Sequence, residues 1–171
     1  MNIEKALTIP GWMSETELLW LAQAAAKVPK GGSIVEIGSY KGRSTCALAE
    51  NTEARVYSVD IWSECGTDGW YYDVFCANTA HLTNVRPMNH ASIWAARKAV
   101  KLSRRFDLIF IDAAHDEYNV RQDIMAWQPL LAEGGTFCGH DYGFAGWPDV
   151  KRIVDELIPG VEVVDTIWIA P

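Results

Sequence analysis

The sequence predicts an α/β protein, a three-layer sandwich around a mostly parallel, Rossmann-like sheet of six or seven strands. Three observations carry this. Short apolar runs alternate with helix-period segments along the 171 residues. One run, FDLIFID at 106–112, is continuous enough to be buried on both faces of a sheet. The first run, IVEI at 34–37, ends in a glycine turn, GSYKG, followed by RST, a helix start.

Each element has its own local reason. Ser14 and Glu17 have capping-box spacing, and Met13 with Leu18 suits a hydrophobic staple. A helix is therefore expected at about 14–28, stopped by Pro29, Gly31 and Gly32. Strand one follows at about 33–37, a short helix at 42–50 and strand two at 55–59. Tyr72, Phe75, Cys76 and Thr79 have helical spacing within 70–82. A short strand at 85–88 leads to a helix at 92–102, which carries Ile93, Ala96 and Val100. After the buried strand, Val120, Ile124, Trp127 and Leu131 mark one helical face. Gly134 and Gly135 turn the chain into strand five at 136–139. Pro148 opens the last helix, and Pro159-Gly160 closes it. The tail, VEVVDTIWIAP, reads as one bent strand or as a tight pair around Asp165 and Thr166. Nothing in the pattern divides the chain, so residues 1–171 are expected to form one domain.

Composition narrows the function classes. The net charge is −7 and no block of Lys or Arg occurs, which argues against tight binding to nucleic acid. No apolar stretch is long enough to span a bilayer. The opening MNIEKALTIPG lacks the basic-then-apolar order of a secretory signal, so a cytoplasmic location is expected. Cys46, Cys65, Cys76 and Cys138 are widely spaced, which suits reduced thiols better than a zinc site or a disulfide framework.

Ligands of such sheets lie beyond the carboxyl ends of the strands. Glu36-Ile37-Gly38, Asp60, Asp112 and His140-Asp141 all fall at those ends. The glycine pattern is ExGxxxG, with Glu36 where the dinucleotide fingerprint has its first glycine. A carboxylate there suits a cationic ligand group better than a pyrophosphate. Asp60 ends strand two, 18 residues beyond Gly42, a position suited to a ribose diol.

With these motifs the chain resembles the class I S-adenosylmethionine-dependent methyltransferases. FDLIFIDAAHDEY, WQPLLAEGGTFCGHDY and WPDVKRIVDEL are similar to the small-molecule O-methyltransferases of the macrocin and caffeoyl-CoA types. The resemblance implies S-adenosylmethionine as cofactor. It implies that Glu36, Gly38, Ser39, Gly42 and Ser44 surround the methionine part, and that Asp60 meets the ribose. Ile61 or Trp62 would pack on adenine, with Ser92 near its edge and Asp112 bordering the same site. Relatives carry an acid just before that serine; here residue 91 is Ala91.

Asp112, His140 and Asp141 are the expected acceptor-side cluster, and also the expected ligands of a divalent metal. Carboxylates suit magnesium, whereas an imidazole moves the preference toward manganese, iron or zinc; magnesium or manganese is the expectation. His140 stands where metal-dependent relatives have Asp. His115, three residues after Asp112, is the best-placed general base, with Asp112 and His140 as its catalytic partners. The loop at 62–70 is expected beside the adenine end, and that at 142–147 is expected to wall the acceptor pocket or form a lid. The short chain implies a pocket completed by a homo-oligomer or open to a large glycosylated acceptor. The expected reaction is methyl transfer to a hydroxyl of a small molecule, such as a sugar moiety. The alternatives are the same fold with hydroxylase-like chemistry, and a cofactor-binding protein without transferase activity.

Overall fold

A computed structural model describes residues 1–63 and 70–171. The segment 64–69, with Cys65 and most of the loop expected beside the adenine end, lies outside the described residues.

Seven strands form one sheet in the order β3-β2-β1-β4-β5-β7-β6. They are β1 (Ser33–Ile37), β2 (Arg55–Asp60), β3 (Val85–Asn89), β4 (Phe106–Ile111), β5 (Leu131–Gly139), β6 (Glu162–Val164) and β7 (Ile167–Ile169). The first five are parallel; β7 runs antiparallel to both β5 and β6. The tail is thus the tight pair, because two residues can join antiparallel strands but cannot make a parallel crossover. Asp165 takes the left-handed conformation that the turn needs, with φ 55°.

Side chains of the central strands alternate between two cores. Ile34, Val56, Leu108 and Phe110 face α2 (Glu15–Ala26), α3 (Arg43–Ala49) and α4 (Trp70–Thr79). Val35, Tyr57, Ile109 and Ile111 face α5 (Ser92–Lys101), α6 (Glu117–Trp127) and α7 (Pro148–Leu157). Both reciprocal bonds of the capping box at Ser14 and Glu17 are present. A further short helix, α1 (Glu4–Thr8), precedes them; Arg43 donates from Nη1 to the carbonyls of Ala6, Leu7 and Ile9, which ties this segment to α3.

Two boundaries differ from expectation. Leu131 does not continue α6: Pro129 has no N–H, so the helix tightens into one 3-10 turn at Gln128–Leu130, and Leu131 opens β5. The glycine pair lies inside β5 rather than before it. Pairing with β4 jumps from Phe106–Leu131 to Leu108–Thr136, and Gly134, with φ 72°, absorbs the bulge. Because strand order reverses between β1 and β4, the crevice opens where β1 gives way to Gly38 and β4 to Asp112.

Candidate functional site

The glycine turn sits at the mouth of that crevice. Gly38 has φ 88° and lines a cavity of about 1060 Å³ at the strand ends, whereas Gly42, with φ 89°, packs against Phe75 and Thr79. Gly38 donates its N–H to the Val59 carbonyl, and Asp112 donates its own to Ile37. A side chain at Gly38 has no room, since a Cβ there would meet the Asp112 carbonyl oxygen at 1.9 Å.

Glu36 is fully buried and is absent from the cavity wall. Its carboxyl accepts hydrogen bonds from the hydroxyls of Ser39 (2.6 Å), Ser44 (2.6 Å) and Thr45. The structure therefore gives Glu36 a different place from the cofactor contact expected of it: it ties the turn to the start of α3. Ser44 lines the cavity, but its hydroxyl is donated inward to Glu36. Burial pushes the Glu36 carboxyl up to about 7, against the lowering effect of the three hydroxyls. A pKa raised on folding means that the folded chain holds the proton more tightly. That contribution is complete below the ordinary 4.5 and is lost as pH rises to about 7. The stability difference between Glu36→Gln and wild type should accordingly move by about 3 kcal/mol in the variant's favour between about pH 4 and pH 8. Denaturant unfolding at both pH values checks this; a pH-independent difference refutes it.

Asp60 organises the next part of the wall. Its Oδ2 accepts from the N–H groups of Ser39 and Tyr40, both at 2.8 Å, and its Oδ1 from that of Trp62 at 2.7 Å. Tyr40 and Trp62 both have φ 44°, a strained conformation held by these bonds. Asp60 remains partly exposed and lines the cavity. Of the two residues expected near adenine, Ile61 is 52% exposed. The Trp62 ring packs on Tyr72 and Phe75, and its Nε1 donates to the Tyr40 carbonyl at 2.8 Å. Ser92 accepts from Trp127 Nε1 at 2.9 Å and donates to Asp123. Asp123, buried on α6, also lines the cavity, and burial pushes its carboxyl up to about 6. It brings a carboxylate to the place where Ala91 offers none. Nothing along the sequence marks it, because only the packing of α6 on α5 sets it against Ser92.

At the other end of the cavity Asp112, His115 and Asp141 come together, with ligand atoms all within 4.8 Å of one another. His115 Nε2 lies 2.7 Å from Asp141 Oδ2 and 4.0 Å from Asp112 Oδ1. Trp147 stacks on the His115 ring, with centroids 4.7 Å apart and planes inclined by 15°. Asp141 has φ 61°, the third strained backbone on this wall. Burial pushes its carboxyl up, but His115 and His140 outweigh that and hold it well below the usual carboxylate range.

His140, expected beside Asp112 and Asp141, is near both but is not one of the converging three. It is buried, with Nδ1 3.4 Å from Asp112 Oδ1 and 3.4 Å from Asp141 Oδ2, while Nε2 lies 3.1 Å from Glu17 Oε1. The last contact is an ion pair without hydrogen-bond alignment. Burial alone would lower its pKa, yet the carboxylates of Asp112, Asp141 and Glu17 leave it pushed up to about 12. The three carboxylates therefore favour the protonated form of His140, which makes it a poor proton acceptor. Glu17 also accepts from the Thr166 N–H (3.1 Å) and hydroxyl (2.6 Å). Burial would raise it; His140, Thr166 and Ser14 bring it down to about 2. The capping box marks Glu17 in the sequence, but nothing there points to its second oxygen.

Aromatic rings rim the cavity. Trp12 is 81% exposed and lies 5.4 Å from the Tyr40 ring, and Phe144 and Trp147 border the opposite side. No helix among the described residues is long and apolar enough to cross a membrane.

Residues 35–142 match the family described as a methyltransferase domain. No curated protein matches the chain. Among solved structures, an O-methyltransferase from Bacillus cereus in complex with SAH aligns with a TM-score of 0.73 at 21% identity, covering 98% of this chain and 89% of that one. A SAM-dependent O-methyltransferase from Thermotoga maritima aligns at 0.70 and 15%, covering 96% and 59%. A TDP-rhamnose 3'-O-methyltransferase of calicheamicin biosynthesis aligns at 0.68 and 15%, covering 90% and 76%. At such identities these structures share the fold. The family match spans the glycine turn, Asp60, Asp112 and Asp141, so the chain belongs to the methyltransferase-domain family, within the class I S-adenosylmethionine-dependent methyltransferases.

Proposed function

We propose that the chain transfers a methyl group from S-adenosylmethionine to a hydroxyl of a small molecule, with a sugar as the favoured acceptor. One observation carries this reading: a single cavity has a nucleoside-type wall at Asp60 and Ser92 and an acid–base cluster at Asp112, His115 and Asp141. At about 1060 Å³ it stands at the upper end of the roughly 300–1,000 Å³ range of small-ligand pockets, which suits a cofactor with an acceptor beside it.

The bare turn at Gly38 and the partly exposed Asp60 carboxylate fit the cofactor's nucleoside half. When bound, the cofactor supplies a methyl group on a sulfonium, open to in-line displacement by an oxygen. The residues of the chain do the rest. Asp141 accepts a hydrogen bond from His115 Nε2–H and so leaves Nδ1 free to take the acceptor's hydroxyl proton. Trp147 holds the imidazole plane, and Asp112 bounds the space where the acceptor oxygen would sit. The His140 cation balances the carboxylates that surround it. Exposed rings such as Trp12 suit the flat apolar faces of a sugar.

The convergence of Asp112, His115 and Asp141 also favours a second reading, in which these three hold a divalent metal that lowers the acceptor hydroxyl's pKa. Its donor set contains His115 rather than His140.

Transfer of labelled methyl to a panel of free and nucleotide-linked sugars, with and without a chelator, tests both. Turnover that survives chelation fits the histidine base; turnover that chelation abolishes and manganese restores fits the metal. Cofactor binding without transfer to any hydroxylated acceptor would overturn the proposed reaction.

A further inference from the structure

A second pocket lies at the opposite end of the strands from the methyltransferase site. It sits beside Arg55 at the start of β2 and Phe106 at the start of β4, under the C-terminal half of α5, and its volume is about 330 Å³. Four cations line it: Arg55, Arg86, Lys98 and Arg104. No Asp or Glu is on its wall, although the chain has 22 acidic residues and only 15 Lys and Arg.

The four charges are held in place without being neutralised. Arg104 lies over the Tyr57 ring at 4.6 Å, and Lys98 over the Trp94 ring at 5.0 Å. Arg86 donates from Nη1 to the carbonyls of Thr83 (2.9 Å) and Val85 (2.7 Å). Arg55 Nη1 reaches the Tyr57 hydroxyl at 3.4 Å. Among the described residues none of the four has a carboxylate within ion-pair distance, whereas Arg121 and Arg152 on the helices are paired with Glu117 and other acids. The floor is apolar and aromatic, formed by Val35, Tyr57, Phe106 and Trp127. A concave, low-dielectric wall with charges of one sign focuses the field into the pocket.

The geometry points to a binding site for a small aromatic anion, a ring carrying a phosphate or carboxylate, seated in this basic pocket apart from the cofactor cavity. The ring would lie on the Tyr57–Phe106 floor and the anionic group among the four cations. A volume of about 330 Å³ is at the lower end of the roughly 300–1,000 Å³ range for small-ligand sites, which limits the occupant to a single ring system with its charged group.

Calorimetric titration of the protein saturated with S-adenosylhomocysteine tests this, using phenyl phosphate, benzoate, inorganic phosphate and phenol as separate probes. One site for phenyl phosphate is expected, with a dissociation constant below about 1 mM. Benzoate should occupy the same site and compete. Inorganic phosphate and phenol, each with half the chemistry, should bind at least about tenfold more weakly. The double variant Arg86→Gln/Lys98→Gln should weaken phenyl phosphate about tenfold or more at an unchanged affinity for S-adenosylhomocysteine, and Lys98→Arg should retain it. The proposal is overturned if phenyl phosphate does not saturate, if inorganic phosphate binds as tightly, or if the double variant binds phenyl phosphate like the wild type.

Discussion

Replacing Gly38 by alanine is expected to lower the thermal midpoint by on the order of 10 °C and to abolish cofactor binding. At φ 88° a Cβ is strained by about 1–2 kcal/mol before any neighbour is considered. The neighbour makes it worse: the new methyl would lie 1.9 Å from the Asp112 carbonyl oxygen, 2.5 Å from its carbon and 2.8 Å from Ala113 Cα. None of these is the end of a flexible side chain, so β1 and β4 must separate where the crevice opens. Asp112 would move with its own backbone, and the turn that presents Ser39 and Tyr40 to Asp60 would move too. Differential scanning calorimetry with and without S-adenosylhomocysteine checks this. A variant that melts like the wild type and is stabilised equally by the ligand would contradict the close approach at Gly38.

His115→Ala is expected to lower kcat by about 10²–10⁴-fold while leaving S-adenosylhomocysteine affinity nearly unchanged. The imidazole is part-exposed in the cavity and is held by Asp141 on one edge and by Trp147 on one face. Asp141→Asn should cost a comparable factor, because the amide carries no charge and its NH2 can donate to Nε2, which favours the wrong tautomer. Since the two residues act as a unit, the double variant should lose little more than either single one. Steady-state kinetics across pH, with calorimetric cofactor binding as control, distinguishes this from misfolding. Additive losses would mean that His115 and Asp141 work independently.

Much of the scaffold was legible because its signals are local. The box at Ser14 and Glu17, the glycines at 38 and 42 and the doubly buried FDLIFI run each depend on neighbours a few residues away. The reach of those signals also explains what was missed. Glu36 was visible as a carboxylate in a glycine turn, but its burial depends on hydroxyls at 39, 44 and 45 that fold over it. Asp123 looks like any polar helix residue until α6 packs against Ser92. His115 and His140 were both plausible bases by position; their division into a cavity-lining imidazole and a buried cation depends on Glu17, which comes from the other side of the sequence.

The bonds from Thr166 to Glu17 join residues 149 apart, and Ser14 donates to Asp165 across 151. Closing so long a loop is a late and slow event compared with pairing β1 to β2, because loop entropy must be lost before the contact is made. On the ribosome, Glu17 emerges early and waits for β7 before its second oxygen is satisfied. Without β7, whose Ile167 and Trp168 are buried, the carboxylate beside His140 would lose the Thr166 partner that fixes it. The carboxylate beside the buried His140 is thus fixed by a contact between two segments far apart in sequence, and the charge balance at that end of the cavity depends on their meeting.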